Sequence, residues 1–440
     1  MAIPGEQTDG RDGRATTQSP TQIRRMLPAD MVERGRCPFD PPSGVRERRD
    51  QGAVQPLTLL NGAPTWLVSG LPEARAILAD PRFSSDRMRY PDVTTLQPHE
   101  VERLAAAAGS GPSAGGIAPK VESRTDGMFV FMDPPEHTRL RRLLTGQFTV
   151  RRMKALETRL REIAVEHIEA MMAAGTEADL VPAYALPIPS LAICELLGVD
   201  YADRAEFQER TAIALNSTTP EQERVQAGLG LYGFIQGLVT AKRAEPGDDI
   251  LYGLIHDTDP PLTDAQLTDV ALLLLGAGHE TTANMLGLGT FALLEHPDQL
   301  AALRADPALM DNAIEELLRY LSIIQMGVSR VAIEDVTVDG VRIPAGGTVI
   351  IATPEANRDP RQWEDPDRFD VHRPRSTHLA FGHGIHQCLG QQLARSEMRV
   401  GLSELITRMP DLRLAVPADQ VPLRNEMLIF GVHSLPVTWS

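Results

Sequence analysis

Phe381-Gly382-His383-Gly384-Ile385-His386-Gln387-Cys388-Leu389-Gly390 sets one cysteine between glycine-bearing turns, at the point where a helical pattern begins. From Leu389 onward, Leu393, Ala394, Val400 and Leu405 fall at roughly helical spacing. Cys388 is therefore expected at a helix N-terminus, where unpaired backbone N–H groups and the helix dipole favour a thiolate. Gly382 and Gly384 permit positive φ and let the backbone come close to a flat ligand, and Gly390 lets the following helix approach the same surface. Phe381 is suited to shield the sulfur from water, and His386 to donate to a carboxylate at the ligand's rim.

A lone cysteine is most often a small buried hydrophobe. His383, His386 and Cys388 are also a candidate zinc cluster, but no fourth ligand lies at zinc-ribbon spacing. Six fixed residues at this spacing arise by chance about once in a million chains of this composition. The stretch resembles the cysteine loop of the cytochrome P450 superfamily, Phe-Gly-x-Gly-x-His-x-Cys-x-Gly, at every fixed position. The resemblance implies that Cys388 is the axial ligand of a haem b iron and that His386 meets a haem propionate. Phe381, Gly382 and Gly390 then complete the haem's cysteine side. It also implies a mainly α fold with small β-sheets: one large cytochrome P450-type domain over residues 28–440, with haem between a long oxygen-side helix and the cysteine-loop helix.

The totals agree with such a domain. The chain has 440 residues, ample for a buried core, and three cysteines, Cys37, Cys194 and Cys388, which form no disulfide framework. No apolar run reaches the ~18 residues of a membrane span, and the polar N-terminal stretch does not read as a signal peptide. Together with the resemblance, this places the chain in the soluble bacterial-type branch, as a cytoplasmic monomer. A net charge of −16 argues against nucleic acid as the main partner.

Residues 1–27 read as a disordered tail. Residues 54–68 read as a hairpin around Asn61-Gly62, and Leu71 to Leu78 as a short helix. Residues 84–127 are irregular, with a Gly/Ser-rich centre at 108–116; in the resembling family this region covers the substrate pocket. Asp133-Pro134-Pro135-Glu136 reads as a helix start with Asp133 as N-cap. That helix carries His137 and Arg141 on one face. Ordinary surface charge is the simplest account of the pair; the resemblance makes it a clamp on haem propionates. Amphipathic helix follows at 151–173, then helices at 187–197, 201–215 and 220–243, and a loop at 245–249.

Thr263-Asp264-Ala265-Gln266 is a capping box. A helical pattern then runs to Glu295, about 32 residues or roughly 48 Å, and His296-Pro297 stops it. Its centre, Leu272-Leu273-Leu274-Leu275-Gly276-Ala277-Gly278-His279-Glu280-Thr281-Thr282, places glycines and a polar cluster inside an apolar helix, at a cost in stability. Tight packing at the glycines, with Thr281 bonded back to a carbonyl four residues earlier, is one account. The other is a local distortion of the helix that makes room for dioxygen, with an acid–alcohol pair for proton delivery, and it follows the resemblance to the family's Ala-Gly-x-Glu/Asp-Thr motif. It puts Ala277 and Gly278 at the oxygen cleft, makes Glu280 a proton relay, and has Thr281 stabilise the reduced dioxygen.

Glu316-Leu317-Leu318-Arg319 resembles the family's Glu-x-x-Arg, and Arg373 would complete its buried charge triad, a scaffold for the cysteine loop. Strands are expected around Val328–Ala332, Val336–Val338 and Val349–Ala352, and a last hairpin over about 427–439. Arg330 matches a propionate-binding arginine.

The resemblance implies a monooxygenase that inserts one atom of O2 into a lipophilic small molecule by hydroxylation or epoxidation. The setting would be secondary metabolism, such as antibiotic tailoring of macrolides, polyenes or terpenoids, or xenobiotic oxidation. Electrons would come from ferredoxin and ferredoxin reductase. Arg139, Arg141, Arg142, Arg151, Arg152, Lys154, Arg395 and Arg399 form a candidate docking face, or equally a solvated one. The pocket is expected to be lined by 84–130, 200–220, the 272–281 face, 323–328 and 427–430, with Ile323, Ile324, Met326, Leu428, Ile429 and Phe430 as apolar wall. Two other classes stay open: a peroxide-driven peroxygenase of the same fold, and a non-catalytic haem sensor or carrier.

Overall fold

The computed structural model describes residues 27–86, 127–215, 219–244, 247–326, 328–425 and 427–440. The expected tail up to residue 26 and most of the irregular 84–127 region lie outside the described residues. Leu27, at the edge of that tail, is buried against Met31 and Val32.

Helix α1 (Ser43–Gln51) leads into β1 (Val54–Thr58) and β2 (Pro64–Val68), which pair antiparallel with Val54 opposite Val68. Gly62, at φ 86°, turns the chain between them as Asn61-Gly62 foretold. Helix α2 (Leu71–Ala79) buries Leu71, Ala74, Ile77 and Leu78, and β3 (Phe83–Ser84) follows. Then come α3 (Glu136–Gln147), α4 (Val150–Ala174), β4 (Glu177–Asp179), α5 (Pro187–Leu197), α6 (Arg204–Leu215), α7 (Glu221–Ala244) and α8 (Ile250–His256).

Helix α9 (Asp264–Glu295) is the axis of the molecule. Thr263 and Gln266 close its capping box in both directions. From Thr282 to Leu293 every residue is buried, so the helix is enclosed on all sides there. Helices α10 (Pro297–Ala305) and α11 (Met310–Leu321) continue the core. Strands β5 (Val328–Ala332), β6 (Val336–Val338), β7 (Val341–Ile343) and β8 (Thr348–Ile351) follow, then the short α12 (Thr353–Ala356) and α13 (Gln391–Arg408). Strands β9 (Arg413–Leu414) and β10 (Pro436–Thr438) end the chain. The main sheet runs β1-β2-β8-β5-β3, with β2 and β8 parallel.

Several local expectations are corrected. Asp133 is not a side-chain cap: its carboxylate accepts from the Ser84 hydroxyl and, at 2.9 Å, from the Ser85 N–H, and the helix starts at Glu136. The 201–215 segment opens as a 3-10 turn before α6. Residues after 249 form α8, which Asp249 caps by accepting from Tyr252 N–H at 2.8 Å. The chain end is not one hairpin: Leu423 and Val432 bridge, but β10 pairs with β4 and β9 in a separate sheet.

Candidate active site

A cavity of about 410 Å³ lies between the centre of α9 and the cysteine loop. Ala277, Gly278 and Thr281 line it from α9; Phe381, Gly382, His386, Cys388 and Gly390 line it from the loop; Arg141 and Arg330 also reach it. Of the expected site residues, His137 and Glu280 are the two outside this lining. Only one of the three cysteines, Cys388, lines the cavity.

The loop is held by its own backbone. Cys388 N–H donates to Phe381 O at 2.8 Å, and Gly382 N–H to Leu379 O at 2.8 Å. Gly382 and Gly384 stand at φ 69° and 74°, as a close turn under a flat ligand requires. Gly384 is fixed twice over, because a Cβ there would sit 2.3 Å from Leu78 O. Helix α13 begins at Gln391 with Gly390 at its cap, so Cys388 lies just before the first turn rather than in it. Burial pushes the Cys388 thiol up, against the Gly390 N–H and the charges of Arg141 and Arg395. Coordination to a metal would favour the thiolate.

The residues present fit a haem. The rings of His137 and His386 pack at 4.1 Å between centroids. Both nitrogens of His137 and Nε2 of His386 are buried without a hydrogen-bond partner. Burial, with the charges of Arg330, His137 and Arg141, holds His386 down to about 3. The orphaned His386 with Arg141 and Arg330 at one cavity site, and the orphaned His137 ring packed against His386, are what the propionates of a haem would satisfy. The other candidate, zinc, finds no support: among the described residues no group of three His, Cys, Asp or Glu is arranged to hold a metal.

The charge triad expected from sequence is present. Arg319 donates to Glu316 through Nε at 2.7 Å and Nη2 at 2.8 Å, and Arg373 Nε donates to Glu316 Oε1 at 3.1 Å. Arg319 also donates to the carbonyls of Asn357, Pro366 and Arg368, which satisfies its full fork. Closer to the cysteine, Glu315 accepts from Arg395 at 2.6 Å and meets His378 at 3.2 Å. Burial alone would raise Glu315, but these two partners hold it at about 2.

On α9, the Thr281 hydroxyl donates to Ala277 O at 2.7 Å, so the back-bonded arrangement is present and the helix runs through without a break. Gly278 allows close packing, since a Cβ would meet Ile193 Cδ1 at 2.8 Å. Glu280 does not face the cavity; its carboxylate pairs with Arg424. Two further residues were not anticipated. Glu397 of α13 and Thr282 both line the cavity, and burial pushes Glu397 up to about 8 against its bond to Thr282. Arg424 and Glu397 carry no local signal, because each meets its partner only through the tertiary fold.

The pocket wall differs from expectation. Ile323, Ile324 and Val328 line it, but Met326, Leu428, Ile429 and Phe430 do not, nor does any residue of 200–220 among those described. Phe430 N–H donates to Ile323 O at 2.7 Å and its ring lies under the Arg34 guanidinium at 3.4 Å, which turns it into the core. Phe129 and Val130 line it from the expected 84–130 stretch, and Phe131, Phe148 and Ile193 line it without having been expected. The basic face is thinned as well: Arg152 pairs with Asp248, Arg395 with Glu315, and Arg399 with Glu157 and Asp311. No helix among the described residues is long and apolar enough to cross a membrane.

The sequence profile of the family described as Cytochrome P450 matches residues 239–439. The chain is 46% identical over 401 residues to Cytochrome P450 105C1 of a Streptomyces species, covering 91% of this chain and 96% of that one. It is 44% identical over 408 residues to pentalenic acid synthase of Streptomyces avermitilis, covering 92% and 95%. The crystal structure of Rif16 superposes with a TM-score of 0.79 at 50% identity, over 94% of this chain and 100% of that one.

Proposed function

The chain belongs to the cytochrome P450 family and is a P450 monooxygenase, and from that premise we propose that Cys388 ligates the iron of a haem b held by His137, Arg141, Arg330 and His386. The observation that carries the assignment is that, of three cysteines, Cys388 lines the cavity and does so with Ala277, Gly278 and Thr281. Bound there, a thiolate-ligated haem supplies activation of O2 and insertion of one oxygen atom into a C–H bond or alkene, at the expense of two electrons and two protons.

The chain's own residues bind, orient and deliver protons. His386 at the cavity and His137 packed against it offer ring nitrogens without partners, and Arg141 and Arg330 bring positive charge; these four would hold the propionates. Phe381 and Leu389 line the cavity beside Cys388 and would shield the sulfur of a bound haem's ligand. Thr281 presents its hydroxyl to the cavity, with its proton resting on Ala277 O at 2.7 Å. Rotation of that hydroxyl away from the carbonyl makes it a donor to oxygen, and Glu280, the next residue, resupplies the proton.

Phe129, Ile193, Leu273, Leu274, Ile323 and Ile324 give an apolar wall suited to a bulky lipophilic substrate. A natural product is the proposed class, consistent with a relative named for making pentalenic acid. Electrons would come from ferredoxin and its reductase in the cytoplasm, with exposed Arg142, Arg151 and Lys154 as the remaining basic docking residues.

Thr281→Ala tests the assignment. The variant is expected to load haem as the wild type does but to release peroxide in place of oxidised product. Fully coupled turnover in that variant would remove the role given to Thr281.

A further inference from the structure

On a helix, residues four apart share a face, and adjacent residues point about 100° apart. Glu280 and Asn284 therefore share one face of α9, while Thr281 turns to the cavity. Arg424 meets that shared face as a fork: Nη2 donates to the Glu280 carboxylate and Nη1 to Asn284 Oδ1 at 3.3 Å. Asn284 Nδ2 in turn donates to Glu280 O at 2.8 Å.

The fork comes from the far end of the chain and is held in place. Arg424 N–H donates to Gly431 O at 2.9 Å, beside the Leu423–Val432 bridge. Gly431 is the residue that lets this segment close on α9, since a Cβ there would lie 1.8 Å from Asn284 Oδ1. The pair is not sealed: the Arg424 and Glu280 side chains are 15% and 25% exposed, and Arg424 Nε is buried with no partner. A pair with part solvent access costs less to open than a sealed buried one.

We infer that Arg424 is the positioning residue for Glu280, holding its carboxylate outside the cavity, beside Thr281 and within reach of solvent, until it leaves the pair to pass on a proton. The inference rests on the relay role proposed for Glu280 and Thr281. It assigns to the 423–432 segment a part in the reaction besides closing the fold.

The test uses holoenzyme with reduced nicotinamide, a surrogate ferredoxin and reductase, and 7-ethoxycoumarin as the probe. Peroxide released per nicotinamide oxidised is measurable whether or not the probe is dealkylated. Arg424→Met is expected to lower coupled turnover about tenfold, below the ~10²–10⁴ that a whole acid–base group supplies, and to raise the peroxide share, at unchanged haem content and probe affinity. Arg424→Lys is expected to restore most of the coupling. Added to Glu280→Gln, Arg424→Met is expected to do nothing further.

Wild-type coupling in Arg424→Met while Glu280→Gln is impaired would overturn the positioning role and leave the relay standing. Full additivity with Glu280→Gln, or no rescue by lysine, would also overturn it. Wild-type coupling in Glu280→Gln would overturn both. Should Arg424→Met fail to load haem, Arg424→Gln, which keeps a donor, carries the same comparison.

Discussion

Two glutamates on core helices of this protein, Glu280 of α9 and Glu316 of α11, pair with arginines, and the two pairs are built to opposite ends. Glu316 of α11 is 3% exposed and Arg319 1%, and the carboxylate also takes Arg373 Nε and the Asp370 N–H. Every donor of Arg319 is used. Glu280 of α9 has one arginine, part solvent access, and a partner whose Nε is left over. A saturated buried network has no cheaper arrangement and is fixed; an unsaturated pair at the edge of solvent has alternatives. On the proposed account the first belongs to the scaffold under the cysteine loop and the second to proton traffic beside Thr281.

That contrast is broken most easily at its rigid end. Glu316→Gln or Arg319→Met leaves an uncompensated buried charge and is expected to cost about 3–5 kcal/mol. It should show as a lower urea midpoint and loss of retained haem. A stable, haem-loaded Arg319→Met would mean the network is not the scaffold.

At the movable end the signature inverts. Glu280→Gln is expected to change stability by no more than about 1 kcal/mol, while the share of electrons lost to peroxide rises severalfold. A large drop in the urea midpoint with coupling intact would class Glu280 with Glu316.

Glu397 sharpens the comparison, being a buried carboxyl with no arginine. Burial lifts it from 4.5 to about 8. Between those values the unfolded chain gives up a proton that the folded chain keeps, so stability falls as pH rises across the window. Glu397→Gln is expected to flatten that decline, seen as urea midpoints that differ less between about pH 5 and pH 8 than in the wild type. An unchanged slope would mean the carboxyl ionises in the fold. The smallest effect belongs to exposed pairs such as Arg210–Glu206 on α6, where Glu206→Gln should shift stability by no more than about 0.5 kcal/mol.

What was legible in the sequence was local chemistry. The cysteine loop is a ten-residue pattern in which Gly382 and Gly384 take the positive φ that was expected of them. The α9 boundaries lay in Thr263, Gln266 and His296-Pro297, all within one turn of the ends. Glu316 and Arg319 are one turn apart, so their pairing was also near at hand.

The misses fall into two kinds. Asp339-Gly340, at φ 48° and 75°, is the turn of the β6–β7 hairpin, and Asp249 is the cap of α8; both signals were present but flank elements of three and seven residues, too short for periodicity to speak. The others were not written locally. Arg424 lies 144 positions from Glu280, and β10 finds β4 rather than its own neighbours, because sheet partners are chosen by the fold and not by proximity in the chain. Leu428 and Phe430 were expected in the pocket as part of the 427–430 stretch; backbone bonds to Gln325 and Ile323 tie that segment down instead.

The central claim is that Cys388, and neither of the other cysteines, is the haem ligand. The measurement is the absorbance spectrum of the dithionite-reduced protein under carbon monoxide, in wild type, Cys388→Ser, Cys37→Ser and Cys194→Ser. The far red-shifted Soret band of thiolate-ligated haem is predicted in the wild type, Cys37→Ser and Cys194→Ser, and lost in Cys388→Ser. A band that survives in Cys388→Ser, or a wild-type band of the histidine-ligated kind, would contradict the account.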